Sequence, residues 1–87
     1  MTHRIVVAPP ARRALESGLP ERVAAAAWEF IAGVLAQEPK RVGKPLRGEL
    51  EGYWSARRGE YRVVYTIHDD IVTVAIIRIA HRRDAYR

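Results

Sequence analysis

Apolar residues recur with two different periods along this chain, and the change of period falls in its middle. His3 to Ala8 (HRIVVA) is a short β-branched run and predicts a first strand. Pro9-Pro10 ends it and suits a first helical turn. Ala11 to Ser17 therefore predicts a helix, with Gly18 as its stop. Pro20 fits the start of a second helix that runs to about Gln37. Val23, Ala27, Phe30, Ile31, Val34 and Leu35 approximate one apolar face of that helix. The alanines at 24–27 favour helix by propensity. Residues 38–49 (EPKRVGKPLRGE) hold two prolines and two glycines and predict a loop. Beyond it the period shortens. Leu50 to Arg57, Tyr61 to Ile67 and Ile71 to Ala80 predict three strands joined by tight turns at Gly59-Glu60 and Asp69-Asp70.

The order β-α-α-β-β-β predicts an α+β fold, with two N-terminal helices packed on one face of a mainly antiparallel sheet and a short basic C-terminal tail, 81–87. Two-residue turns fix the pairing. Partners sum to 119 in the first hairpin and to 139 in the second, by residue numbers in the sequence. Trp54 then faces Tyr65 and Ala56 faces Val63, with Val72, Val74 and Ile76 on the same, helix-covered side. The other face carries Ser55, Arg57, Arg62, Val64 and Thr66. Arg58, Tyr61 and Arg78 fall on the helix side, and both tryptophans, Trp28 and Trp54, read as core. Arg57 stands opposite Arg62, and like charges facing each other across a strand pair are destabilising. An anion seated between them would remove that conflict. The competing reading is salt bridging to Glu49, Glu51, Glu60 and Asp84, which surface chains of this kind often show at little gain.

Composition narrows the class of partner. The chain has 87 residues, enough for one domain, 1–87. The formal net charge is +5, and 15 residues are lysine or arginine, yet only Lys40 and Lys44 are lysines. Arginine offers a planar fork of donors suited to phosphate, so nucleic acid or an acidic protein is the expected partner. No apolar run approaches the length of a membrane span, and no secretory leader pattern is present. Cysteine is absent, which excludes disulfide and thiolate chemistry and fits a cytoplasmic location. The histidines, His3, His68 and His81, show no metal-ligand spacing, so neither a metal nor a cofactor is expected.

The string KPLRGELEGYWSARRGEYRVVYTI, followed by IIRIAHRRDAY, resembles the toxins of the RelE/ParE superfamily, the toxin halves of type II toxin–antitoxin modules. The shared pattern is an LRG loop, then Y-x-R-x-G-x-Y-R-V-x-Y, an apolar strand and a terminal HR-x-x-x-Y. The C-terminal half carries these motifs; the N-terminal half agrees in element order and length. The resemblance implies one of two activities. RelE-like members cleave mRNA in the ribosomal A site, whereas ParE-like members poison DNA gyrase. HR before a near-terminal tyrosine favours a RelE-like, metal-independent endoribonuclease that inhibits translation. Carried over position by position, Arg62 matches the catalytic arginine of the central strand, Arg82 the second arginine with Arg83 as its rival, and Tyr86 the C-terminal tyrosine. The RelE pattern has two lysines on the preceding strand; here Ser55 and Arg57 occupy those positions. Lys44 and Arg47 are candidate RNA contacts.

In the implied reaction the 2′-hydroxyl loses a proton, a crowded phosphorane forms, and the leaving 5′-oxygen gains a proton. Arg57 and Arg62 would stabilise phosphorane charge, and Tyr86 would be the base, its phenolate favoured by neighbouring arginines. Arg82 would protonate the leaving group weakly or position the scissile phosphate. His81 is either an acid suited to neutral pH or a solvated tail residue. Tyr61 and Tyr53 are candidate base-stacking platforms. The resemblance also implies a cognate, RelB-like antitoxin whose acidic segment wraps this basic face, and a complex that binds operator DNA through the antitoxin. Two alternatives stay open: a gyrase inhibitor on the same fold, and a catalytically weak member that only binds its antitoxin, the latter kept alive by Ser55.

Overall fold

The computed structural model describes residues 2–81. Strand β1 is Arg4–Val7, α1 Pro9–Arg13, α2 Glu21–Phe30 and α3 Pro39–Val42; the strands β2 Lys44–Pro45, β3 Trp54–Arg58, β4 Tyr61–His68 and β5 Thr73–His81 follow. Pro9 and Pro10 occupy the first helical positions of α1, where a missing N–H costs nothing. α1 and α2 each run on into a wider π turn, Ala14–Gly18 after α1 and Ile31–Leu35 after α2.

The strands form one five-stranded sheet in the order β1-β5-β4-β3-β2. β1 runs parallel to β5, and the remaining neighbours are antiparallel. The helices cover one face. Their buried residues Ala11, Val23, Ala27, Phe30, Ile31 and Leu35 meet Ala56, Val63, Tyr65, Val74, Ile76 and Ile79 of the sheet. Val34 of the sequence-derived helical face, and Trp28, read from sequence as core, depart from this. Val34 is 44% exposed and Trp28 46% exposed, so neither belongs to the core. Trp54 is half-buried and stacks on Tyr65 with ring centroids 6.5 Å apart.

The first hairpin has the expected register. Trp54 pairs with Tyr65, Ala56 with Val63 and Arg57 with Arg62, and Gly59 takes the left-handed backbone, φ 50°, that the turn demands. The second turn differs from expectation. It spans a 3₁₀ turn, Asp69–Ile71, closed by Val72 in a left-handed conformation, φ 47°, so the pairing becomes Tyr65 with Ile76 and Ile67 with Val74. A bulge at Val64/Tyr65 then shifts the register once more, pairing Val64 with Arg78 and Val63 with Ile79. The extra residue reverses every later side chain of β5. Ile79 enters the core at 5% exposure, and Arg78 moves to the open face rather than the helix side.

The stretch 38–49 is also more than a loop. α3 and β2 lie within it, and β2 adds an edge strand by pairing Lys44 with Ser55 and Pro45 with Trp54. A proline at a sheet edge sacrifices no interior ladder bond. No helix among the described residues is long and apolar enough to cross a membrane.

Candidate functional site

The face of the sheet away from the helices carries a cleft of about 550 Å³ lined by Arg41, Val42, Gly43, Lys44, Leu46, Ser55, Arg57 and Arg62. Its floor is built by strand alternation. Side chains two apart share a face, so β3 sends Ser55 and Arg57 outward while Trp54 and Ala56 point at the helices. Directly paired residues share that face too. Lys44, Ser55 and Val64 therefore form one row across β2, β3 and β4, continued by Arg78 on β5, and Arg57 and Arg62 form the next.

The wall formed by α3 and β2 is held by one buried contact. The hydroxyl of Tyr65 donates to the Pro39 carbonyl at 2.6 Å, and burial pushes that phenol up to about 12. Gly43 lies close against it. A Cβ at position 43 would collide with the Tyr65 hydroxyl and approach the Ser55 carbonyl oxygen to 2.9 Å. The core tyrosine thus fixes where Lys44 leaves the backbone.

The electrostatics are one-sided. Glu60, a possible partner for the arginines, instead meets Arg22 at 3.5 Å. Arg41 is held by Glu38 at 2.6 Å. Among the described residues no carboxylate lies within ion-pairing distance of Lys44, Arg57 or Arg62. The salt-bridge explanation of the cluster therefore fails for Glu49, Glu51 and Glu60, and Asp84 lies outside the described residues. Among the described residues, no acid offsets the facing charges of Arg57 and Arg62.

Of the site residues expected from sequence, Lys44, Ser55, Arg57 and Arg62 come together in this cleft. Arg47 is exposed beyond its rim. Tyr61 is a correction: it is 8% exposed, packs on Phe30 with centroids 6.5 Å apart and donates its hydroxyl to the Ala26 carbonyl at 3.3 Å. Burial raises its pKa, and its ring belongs to the core rather than to a base-stacking surface. His81 pairs with Tyr61 and so lies on the helix-bearing side, away from the arginine pair. Arg58 lies there as well, its guanidinium 4.7 Å from the Phe30 ring centre. Arg82, Arg83 and Tyr86 fall outside the described residues. Sequence reasoning missed Arg41 and misplaced Arg78. The signal for the second was present: alternation in VTVAIIRIA breaks at the adjacent Ile76-Ile77, which marks an inserted residue.

The chain matches, over residues 5–86, the family described as the ParE toxin of type II toxin–antitoxin system, parDE. It belongs to that toxin family. Two toxins of Mycobacterium tuberculosis are similar over most of their length. Toxin RelG is 57% identical over 88% of this chain and 87% of the relative, and toxin RelE is 51% identical over 98% and 87%. Among solved structures, the toxin–antitoxin complex RelBE2 of M. tuberculosis superposes with a TM-score of 0.90 at 50% identity, covering 94% of this chain and 100% of that one. The isolated Escherichia coli RelE toxin shares the fold, with a TM-score of 0.71 at 20% identity over 91% and 83%. This RelE/ParE-family toxin thus has the α+β architecture of its relatives, with its cationic cleft on the sheet face that the helices leave open.

Proposed function

We propose that this toxin is a ribosome-dependent, metal-independent endoribonuclease that cuts mRNA in the A site and is neutralised by a cognate RelB-like antitoxin. The observation that carries this reading is the cleft around Ser55, where Lys44, Arg57 and Arg62 converge without a carboxylate among the described residues. Such a cleft suits a phosphate on which negative charge develops during reaction, and preorganised cations there are worth most when water is displaced. The similarity to toxins named RelE and RelG supports the ribonuclease over the gyrase reading. Arg57 and Arg62 clamp the scissile phosphate and its phosphorane. Tyr86 takes the 2′-hydroxyl proton, and Arg82 or Arg83 orients the strand; Arg47 contacts RNA outside the cleft.

The partner reading follows from the same charge. An acidic antitoxin segment laid over the open face would neutralise Arg57, Arg62 and Arg78 together and block the cleft. RelBE2 is a toxin–antitoxin complex, which supports a partner of that kind. The test is to induce the chain alone in growing cells, map mRNA ends, and assay supercoiling with purified protein. A-site cuts with unaffected gyrase are expected. Growth arrest with intact mRNA and inhibited gyrase would assign the chain to the ParE activity instead.

A further inference from the structure

We infer that Lys44 is the proton donor to the leaving 5′-oxygen, reaching the phosphate from the edge strand across Ser55. This rests on the ribonuclease reading above and assigns one of its unfilled roles. Three observations lead to it. First, the described cations of the cleft are Arg41, Lys44, Arg57 and Arg62. A guanidinium does not give up its proton in proteins, whereas an ammonium does. Lys44 is therefore the one described cation of the cleft able to transfer a proton. Second, His81, the other proton carrier in question, lies across from Tyr61 on the helix-bearing side. Third, Lys44 pairs directly with Ser55, so the two side chains leave the same face about 5 Å apart at their Cβ atoms. Serine is short. It leaves open the volume above β3 that a long side chain would fill, and the four-carbon stem of Lys44, which lines the same cleft from the neighbouring strand, is long enough to reach across it. Arg57 stands two residues along β3, roughly 7 Å from Ser55, with Arg62 beside it. A phosphate seated over Ser55 meets the arginine pair on one side and the Lys44 ammonium on another.

The position of Lys44 is built rather than incidental. The Tyr65 hydroxyl pins Pro39, and Gly43 packs against that hydroxyl without room for a side chain. The residue that follows is thereby held at the cleft wall.

The step balances as follows. The 2′-hydroxyl proton passes to the base, the 2′-oxygen bonds to phosphorus, and the bond from phosphorus to the 5′-oxygen breaks. That oxygen takes a proton from the Lys44 ammonium, leaving a neutral amine that water reprotonates. The products are a 2′,3′-cyclic phosphate and a 5′-hydroxyl.

The experiment compares wild type, Lys44→Arg and Lys44→Ala in single-turnover cleavage of mRNA on stalled ribosomes. Two substrates are used, one with the natural 5′-oxygen and one with sulfur at that bridging position. Sulfur leaves as a thiolate and needs no proton. Expected on the oxygen substrate is a loss of about 10²-fold or more for both variants, the usual size of a general acid's contribution. On the sulfur substrate Lys44→Arg should cleave within a few-fold of wild type. Equal losses on both substrates would make Lys44 a phosphate clamp and overturn the assignment, as would an undiminished rate of Lys44→Arg on the oxygen substrate. Absence of cleavage by the wild type itself would instead overturn the ribonuclease reading, and this assignment with it.

Discussion

Arg57 and Arg62 face each other across β3 and β4 without an acid between them among the described residues. Such a pair lowers stability and is tolerated where an anion is meant to bind. Arg57→Thr should accordingly raise the stability of the free toxin by about 0.2–1 kcal/mol in urea denaturation, while weakening cleavage. Arg62→Ala should cost 10²–10³-fold in cleavage rate, the scale of removing one preorganised charge-stabilising donor. Tyr65 makes a different prediction. Its phenol is pushed from an ordinary value near 10 up to about 12 in the fold. The stability it contributes is full below pH 10 and is lost as pH rises toward 12. Tyr65→Phe should remove that part of the alkaline transition, and also lower stability at neutral pH because the Pro39 carbonyl loses its donor; circular dichroism across pH 9–12 measures both.

At the scale of elements, two irregularities decide which cations the open face carries. The edge strand β2 brings Lys44, and the β4–β5 bulge brings Arg78. Gly43→Ala should push β2 away from β3 and destabilise the fold by about 1–3 kcal/mol, the cost of overpacking. Hydrogen exchange of the Leu46 amide, which bonds the Tyr53 carbonyl at 2.8 Å, should quicken. Arg78→Ala should reduce the salt dependence of binding to single-stranded RNA by about 0.7 in log–log slope. Arg58→Ala should leave it unchanged, since Arg58 is engaged over Phe30 on the other side.

These irregularities also mark where the sequence was readable. Strand alternation and the glycine-first turn were enough to place Ser55, Arg57 and Arg62 on one face, because a short hairpin leaves one register open. The register of the second hairpin is not legible, because Asp69-Asp70 resembles a two-residue turn while the chain uses a longer one that sets Val72 in a strained conformation. β2 was hidden by its prolines and glycines: two residues have no period, and their pairing is decided by the Tyr65–Pro39 bond, a contact 26 positions apart in the chain. The burial of Tyr61 is not legible either, because local pattern does not reveal that Phe30 packs on it.

For the whole molecule, the two faces of the sheet do different work. One buries the helices and carries the stability of the chain. The other exposes cations from β2, β3, β4 and β5, within a net charge of +5, and is the face proposed both for RNA and for the antitoxin. Binding of an acidic antitoxin segment should raise the melting temperature of the toxin, by burying surface and by relieving the Arg57–Arg62 repulsion. Arg57→Thr should show a smaller shift on binding than wild type. The central claim is that this open face performs metal-independent RNA transesterification. Its most direct test is end-group analysis of mRNA cut on purified ribosomes stalled with a defined codon in the A site. The account predicts a 5′-hydroxyl on the downstream fragment and a 2′,3′-cyclic phosphate or 3′-phosphate on the upstream one, both lost in Arg62→Ala. A 5′-phosphate with a 3′-hydroxyl, or intact mRNA with active wild-type toxin, would contradict it.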